Sequence, residues 1–246
     1  MDRMLYVAMT GAKNIMLAQA INNNNLANIN TTGFRADLAS FQAVPIEGPG
    51  YQSRVNAIVA NTSVDLSSGP ILATGRELDV AVKGDGLIAV QAPDGGEAYT
   101  RAGDLQLTGA GMLVTGMGYP VMGNGGPIAV PPNEKLEIGA DGTISILPIG
   151  QTPNTLAVVD RIKLVKTPSE PMIKVGEGLL RPAAESNLAA DASVSLQSGV
   201  LESSNVKGIE ALTNMIELSR HYETQIKLLK TAEDNDAAST QLLRLA

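Results

Sequence analysis

The chain has 246 residues and a formal charge of −7, with 25 acidic against 18 basic side chains, which argues against an electrostatic grip on phosphate backbones. Aromatics make up 3% of the chain, with no Trp, and cysteine is absent. Base-stacking platforms are therefore disfavoured, and thiol nucleophiles, Cys metal sites and disulfides are excluded. The length suits one large domain or two small ones, and 25 Gly with 13 Pro suggest many turns and short strands.

The N-terminus carries Arg3 and an apolar run from Leu5 to Ala12, which Lys13 and Asn14 end after about eight residues, at the lower limit for a secretory signal. No cleaved signal is expected. Positions Leu5, Ala8, Ala12, Ile15, Gln19, Asn22, Leu26 and Ile29 step by three and four, a helical stripe sustained for more than three heptads. Met1, Met9, Met16 and Ile21 widen it, and Thr32-Gly33 reads as its stop, with Gly33 at the left-handed C′ position. Asn24, Asn25 and Asn28 flank the stripe. Asparagine is a mediocre helix former whose amide competes with the backbone, so this stretch suits a specific interface better than hydrophobic collapse. These amides are expected to bond to neighbouring subunits.

Residues 35–71 show neither helical nor strand period cleanly and carry Pro45, Gly48, Pro49 and Gly50, which reads as an extended connecting arm. From about Leu72 to residue 197 the period changes to two. "LDVAVKGDGLIAV" places Leu78, Val80 and Val82 on one face before a turn at Gly84 to Gly86. "LEIGADGTISI" puts Leu136 and Ile138 before Asp141-Gly142, and Ile144 and Ile146 after it, a hairpin signal. Further strands are expected around Leu156 to Val159 and Ile162 to Val165. The sum is a central antiparallel all-β domain, sandwich or barrel-like.

At the other end Ser203, Ser204 or Asn205 offers an N-cap, and Leu212, Met215, Ser219, Tyr222, Ile226 and Leu229 again step by three and four. A helix from there to the last residue would span about 60 Å at about 1.5 Å per residue. The overall expectation is a mixed α and β chain: an N-terminal helix over 1–34, the arm over 35–71, the β domain over 72–197, and a C-terminal segment and helix over 198–246. The two terminal helices are expected to pair as a coiled coil.

Chemistry is sparse. His221 is the one histidine, with Glu217 a helical turn before it, and reads as part of a solvated surface pair rather than a general base. Glu233, Asp234 and Asp236 lack the spacing and glycine of a calcium loop. The glycines form neither a dinucleotide fingerprint nor a phosphate loop, and Arg101 with Asp104 reads as an isolated charge pair. An enzyme would need two of Asp79, Asp85, Glu97 and Asp104 in one cleft. No catalytic residue, metal site or cofactor is expected, and neither nucleic acid nor a small-molecule substrate is an expected partner.

"NNLANINTTGF" (Asn24 to Phe34) resembles the N-terminal signature of bacterial flagellar rod and hook proteins, with Asn23 where that signature has Ala. "LDVAVKGDGLIAV" and "AYTRAGDLQLTGAGMLVTGMGYPVMG" are similar to the family's central block, with Leu87-Ile88 where aromatics are usual. "SGVLESSNV" (Ser198 to Val206), followed by a long helix, is similar to its C-terminal signature. The blocks stand in the family's order and span most of the chain.

The resemblance implies a structural subunit of the flagellar basal-body rod, stacked helically into the drive shaft and export channel that crosses the periplasm. It implies export through the flagellar type III apparatus without a cleaved signal. The implied partners are other rod subunits, proximal and distal, together with the MS ring and the rod cap. The opening "MDRMLYVAMTGAK", the length and the modest β domain look most like proximal-rod members, with distal-rod members the near alternative. A secreted β-rich adhesin or tail-tube-like protein is the other structural reading. The assembly interface implied comprises Leu5, Ala8, Ala12, Ile15, Gln19, Asn22, Asn24, Asn25, Leu26, Asn28, Gly33 and Phe34 from the first block. From the last it takes Asn205, Leu212, Met215, Tyr222, Ile226 and Leu229.

Overall fold

The computed structural model describes residues 3–45, 55–150, 156–168, 170–184 and 186–245. Met1, Gly48, Pro49, Gly50 and Ala246, all invoked above, lie outside them, as do the side chains of Leu242, Leu243 and Leu245. The chain divides into two compact units, residues 1–27, 37–63 and 207–246 in one and residues 28–36 and 64–206 in the other.

The first unit holds helix α1 (Arg3–Ala27), the paired strands β1 (Asp37–Pro45) and β2 (Val55–Val64), and helix α2 (Gly208–Leu245). The segment expected to be an arm therefore carries a two-stranded ribbon. Its strand pattern was hidden in the sequence because most described side chains of β1 are exposed on both faces, so no apolar alternation marks it. α1 and α2 pack against each other. Asn22 lies opposite Ala211, and a methyl group on Gly11 would meet the Gln225 side chain, so the two helices run antiparallel.

α1 stops at Ala27, short of the expected stop at Thr32-Gly33. Asn28 breaks the helix, its carbonyl accepting from the Thr31 amide at 3.2 Å and its side-chain oxygen from the Thr31 hydroxyl at 3.1 Å. α2 begins at Gly208 rather than at an Asn205 cap. Ser204 Oγ accepts only the Val206 amide, at 3.2 Å, and Asn205 is engaged elsewhere.

The second unit is built from short strands. β3 (Ile71–Ala73), β4 (Val80–Lys83), β5 (Gly86–Gln91), β6 (Glu97–Thr100), β7 (Leu105–Leu107) and β8 (Leu113–Thr115) come first. β9 (Asn133–Ile138), β10 (Thr143–Pro148), β11 (Ala157–Arg161) and β12 (Leu164–Lys166) follow. β13 (Met172–Gly176), β14 (Leu179–Pro182), β15 (Ser195–Ser198) and β16 (Val200–Glu202) complete it. The largest sheet runs β12-β5-β6-β14-β13, a second runs β11-β10-β9, and β15-β4, β16-β3 and β7-β8 are two-stranded. No sheet among the described residues closes on itself.

The hairpin signal around Asp141-Gly142 matches β9 and β10, with Ile144 opposite Ile138 and Ile146 opposite Leu136. β5 departs from the one-faced pattern because both of its faces are buried. Ile88 and Val90 enter the main core with Leu105, Leu113, Ile144 and Leu196, whereas Leu87 and Ala89 enter a second core with Tyr99, Val165 and Leu180. The last two strands pair back onto the first, β15 with β4 and β16 with β3, which brings residue 202 beside the start of the unit.

Candidate assembly surfaces and the buried joint

Each of Leu5, Ala8, Ala12, Ile15, Gln19, Asn22, Leu26 and Ile29 is buried or half-buried, so the stripe read from the sequence is the less exposed face of α1 and its continuation. On α2 the less exposed positions are Gly208, Ala211, Met215, Leu218, Tyr222, Gln225, Leu229 and Ala232, again stepping by three and four. Met215, Tyr222 and Leu229 belong to that stripe as expected. Leu212 and Ile226 do not: they are 51% and 43% exposed. The covered positions between are Ala211, Leu218 and Gln225. Ala8 and Ala12 on α1, with Ala211 and Ala232 on α2, are the buried residues of the pair. Small side chains let helix backbones approach closely, so hydrophobicity alone misplaced part of the register.

That rotation leaves a second apolar stripe uncovered on each helix. On α2 it holds Ile209, Leu212 and Ile216, at 85%, 51% and 56% exposure. On α1 it holds Tyr6, Met9 and Met16, all more than half exposed. Leu38, Phe41, Val55 and Ile58 expose further apolar surface on the ribbon. Apolar surface of this extent on one small unit marks interaction sites.

Several of the amides expected to bond to neighbouring subunits also have partners within the chain. Asn22 Nδ2 donates to the Ala211 carbonyl at 2.8 Å. The Asn25 side chain donates to the Asp37 carbonyl at 2.9 Å and accepts the Asp37 amide at 2.8 Å, the pairing a neighbouring strand would make. Asn24 is exposed. Asn205, in the second unit, accepts the Ala36 amide at 2.8 Å and donates to the carbonyls of Asp65 and Ser67 at 2.9 and 3.1 Å. It clamps two chain segments.

A buried charge cluster escaped the sequence reading. Glu202, 2% exposed, accepts Arg35 Nη2 at 2.7 Å and the Gly69 amide at 2.8 Å on Oε1, and Arg101 Nη1 at 3.0 Å on Oε2. Arg101 also donates to the carbonyls of Val82 and Gly84. It is therefore no partner of Asp104 in an isolated pair. Gly33, at φ 66°, donates its amide to the Glu202 carbonyl at 2.8 Å, and a Cβ there would clash with the backbone of Arg101 and Ala102. Gly33 is thus a packing glycine rather than a helix terminator. Phe34 is buried, with Lys174 Nζ 3.9 Å from its ring centroid. Three sequence blocks, "TTGFR", "YTRAG" and "VLESSN", meet at this joint. Placement of Gly33 two residues before Arg35 was the one available signal.

Of the four candidate carboxylates, Asp79 and Asp104 are neighbours across an isolated backbone bridge. Glu97 pairs with Lys163 at 2.7 Å and Asp79 with Arg76 at 3.0 Å. A cavity of about 390 Å³ holds Asp94 and Glu97, but the Arg181 guanidinium pulls the Asp94 pKa down to about 2, keeping it ionised and unable to act as an acid. Burial, with Asp79 adding to it, raises the Asp104 pKa. His221, Glu233, Asp234 and Asp236 are exposed on α2. Among the described residues no group of three His, Asp or Glu is placed to hold a metal, and no helix is long and apolar enough to cross a membrane.

Two family models match. Residues 81–146 match the flagellar hook protein FlgE/F/G D1 domain, and residues 197–242 match the flagellar basal body rod FlgEFG protein C-terminal region. The chain is 43% identical to the flagellar basal-body rod protein FlgF of Salmonella typhimurium and 41% identical to that of Escherichia coli, with all of each chain covered. It is 33% identical to the flagellar basal-body rod protein FlgG of Bacillus subtilis, over 95% of this chain and 96% of that one.

Proposed function

Because the chain belongs to the bacterial flagellar rod and hook protein family, we propose that it serves in the proximal part of the rod, polymerising helically through its two terminal helices. It is a structural subunit of the flagellar basal-body rod, not an enzyme, and it assembles with other rod components. The observation that carries the reading is the full-length match to FlgF proteins, at higher identity than to the FlgG relative.

The second apolar stripes on α1 and α2 support the mode of assembly. In an antiparallel pair one stripe closes the subunit. The other, with Ile209, Leu212 and Ile216 on α2 and Tyr6, Met9 and Met16 on α1, is left for neighbours. On this reading Leu212 and Ile226 contact adjacent subunits. Ala8, Ala12, Ile15, Met215, Tyr222 and Leu229 hold the helices together as a coiled coil. Neighbours are the proximal and distal rod subunits, the MS ring and the rod cap. The chain reaches the periplasm unfolded through the type III export apparatus with no cleaved signal, a route that the absence of cysteine suits.

Electron cryotomography of cells lacking the gene, beside a complemented control, tests the reading. Basal bodies that stop at or just beyond the inner-membrane ring are expected. Complete rods and hooks in swimming cells would overturn it.

A further inference from the structure

The buried joint at Glu202 has a property that its contacts impose. Arg35 and Arg101 are 2% and 3% exposed, and both put a guanidinium against the same carboxylate. Glu202 is the only residue that gives Arg35 a side-chain hydrogen bond among the described residues, since Nε and Nη1 have none. Without Glu202 the site would hold two buried like charges. Burial lowers the Arg101 pKa, the Glu202 carboxylate opposes that, and Arg35 adds to the lowering. Main-chain contacts converge on the same residues. The Gly33 amide donates to the Glu202 carbonyl, the Gly69 amide to its carboxylate, and Asn205, three positions on, ties Ala36 to Asp65.

We propose that Glu202 is a closing latch: the segment 28–36 docks only when β16 delivers this carboxylate, and it is released as one piece when the carboxylate is withdrawn. The two arginines precede Glu202 by 167 and 101 positions. In any N-to-C emergence of the chain they therefore appear long before the group that neutralises them. Every residue of the two hydrophobic cores precedes Glu202 in the chain, so both can gather before the latch engages. The segment that joins α1 to the β unit thus stays undocked until nearly all the chain is present. This goes beyond the rod reading and does not depend on it, because it concerns the folding of a single chain.

The test is refolding of the full chain from denaturant with pulsed hydrogen exchange and mass spectrometry, for the wild type and for Glu202→Gln, which keeps shape and acceptor but loses the charge. In the wild type, amides of 28–36 should become protected in the same step as 200–202 and after 86–91 and 143–148. In Glu202→Gln the equilibrium exchange of 28–36 should rise at least tenfold, with 86–91 and 143–148 unchanged. Protection of 28–36 before 200–202 in the wild type would overturn the proposal. So would unchanged 28–36 exchange in the variant, or an equal loss of protection across all these peptides. Glu202→Asp provides the second variant: keeping the charge, it should retain more 28–36 protection than Glu202→Gln, and the reverse order would count against a charge-based latch.

Discussion

Glu202 Oε1 lies 2.7 Å from Arg35 Nη2, with both side chains only 2% exposed and 167 positions between them in sequence. Removing one member of a buried charge pair strands the others, which costs about 3–5 kcal/mol. Glu202→Ala is therefore expected to lower unfolding free energy by that order in denaturant titration. Replacing the whole cluster, as Arg35→Met, Arg101→Met and Glu202→Leu together, should cost less than the sum of the three single changes. Additive losses would mean that the charges are not coupled.

Gly33→Ala meets two obstacles at once. Its φ of 66° strains an L-residue by about 1–3 kcal/mol, and the new methyl would run into the Arg101–Ala102 backbone. The expected result is a loss at the upper end of that range or failure to fold. A thermal midpoint equal to wild type would contradict the placement of Gly33 against that backbone.

Asn25→Leu deletes both hydrogen bonds to the Asp37 backbone. A buried donor or acceptor left unmade costs about 1–3 kcal/mol. The variant should show faster amide exchange at the start of β1 in the isolated subunit. Unchanged exchange there would return Asn25 to the role of contacting neighbours only.

Asp94 has its pKa pulled from 3.8 to about 2, first by the Arg181 side chain and then by the Gly96 amide. A carboxylate with a depressed folded pKa adds stability that is fully present above its unfolded pKa and is lost as pH falls toward 2. The wild type should thus lose more thermal stability between about pH 4 and pH 2 than Asp94→Asn does. Asp94 is 54% exposed and screened by solvent, so the difference should be small. Parallel pH curves for the two proteins would show that the pair contributes nothing.

Period and turn chemistry made the two helices and the β9–β10 hairpin legible, because each buries one face of a regular element. Other features obeyed rules that a local pattern does not carry. The α2 register turned on Ala211, Leu218 and Gln225 rather than Leu212 and Ile226, and since only Ala211 of these is small, neither size nor apolarity alone marks the covered face. β1 left no alternation because most of its side chains are exposed on both faces. Arg35 and Glu202 stand 167 positions apart with no local pattern linking them, and only the tertiary fold brings them together. Of the interface read from sequence, Gly33, Phe34 and Asn205 also have partners inside the second unit.

In the proposed assembly the uncovered stripes of α1 and α2 are where rod neighbours pack. The chain contains no cysteine, so single cysteines can be introduced without background from it. Leu212→Cys and Met9→Cys, each exposed by half or more, should form subunit–subunit crosslinks in purified basal bodies under mild oxidation or with a short thiol-reactive linker. A cysteine at Val158, on the exposed edge strand of the second unit, serves as the comparison and should crosslink less. If neither helix position crosslinks in basal bodies that contain the subunit at normal abundance, the stripes do not meet neighbours and the account is contradicted.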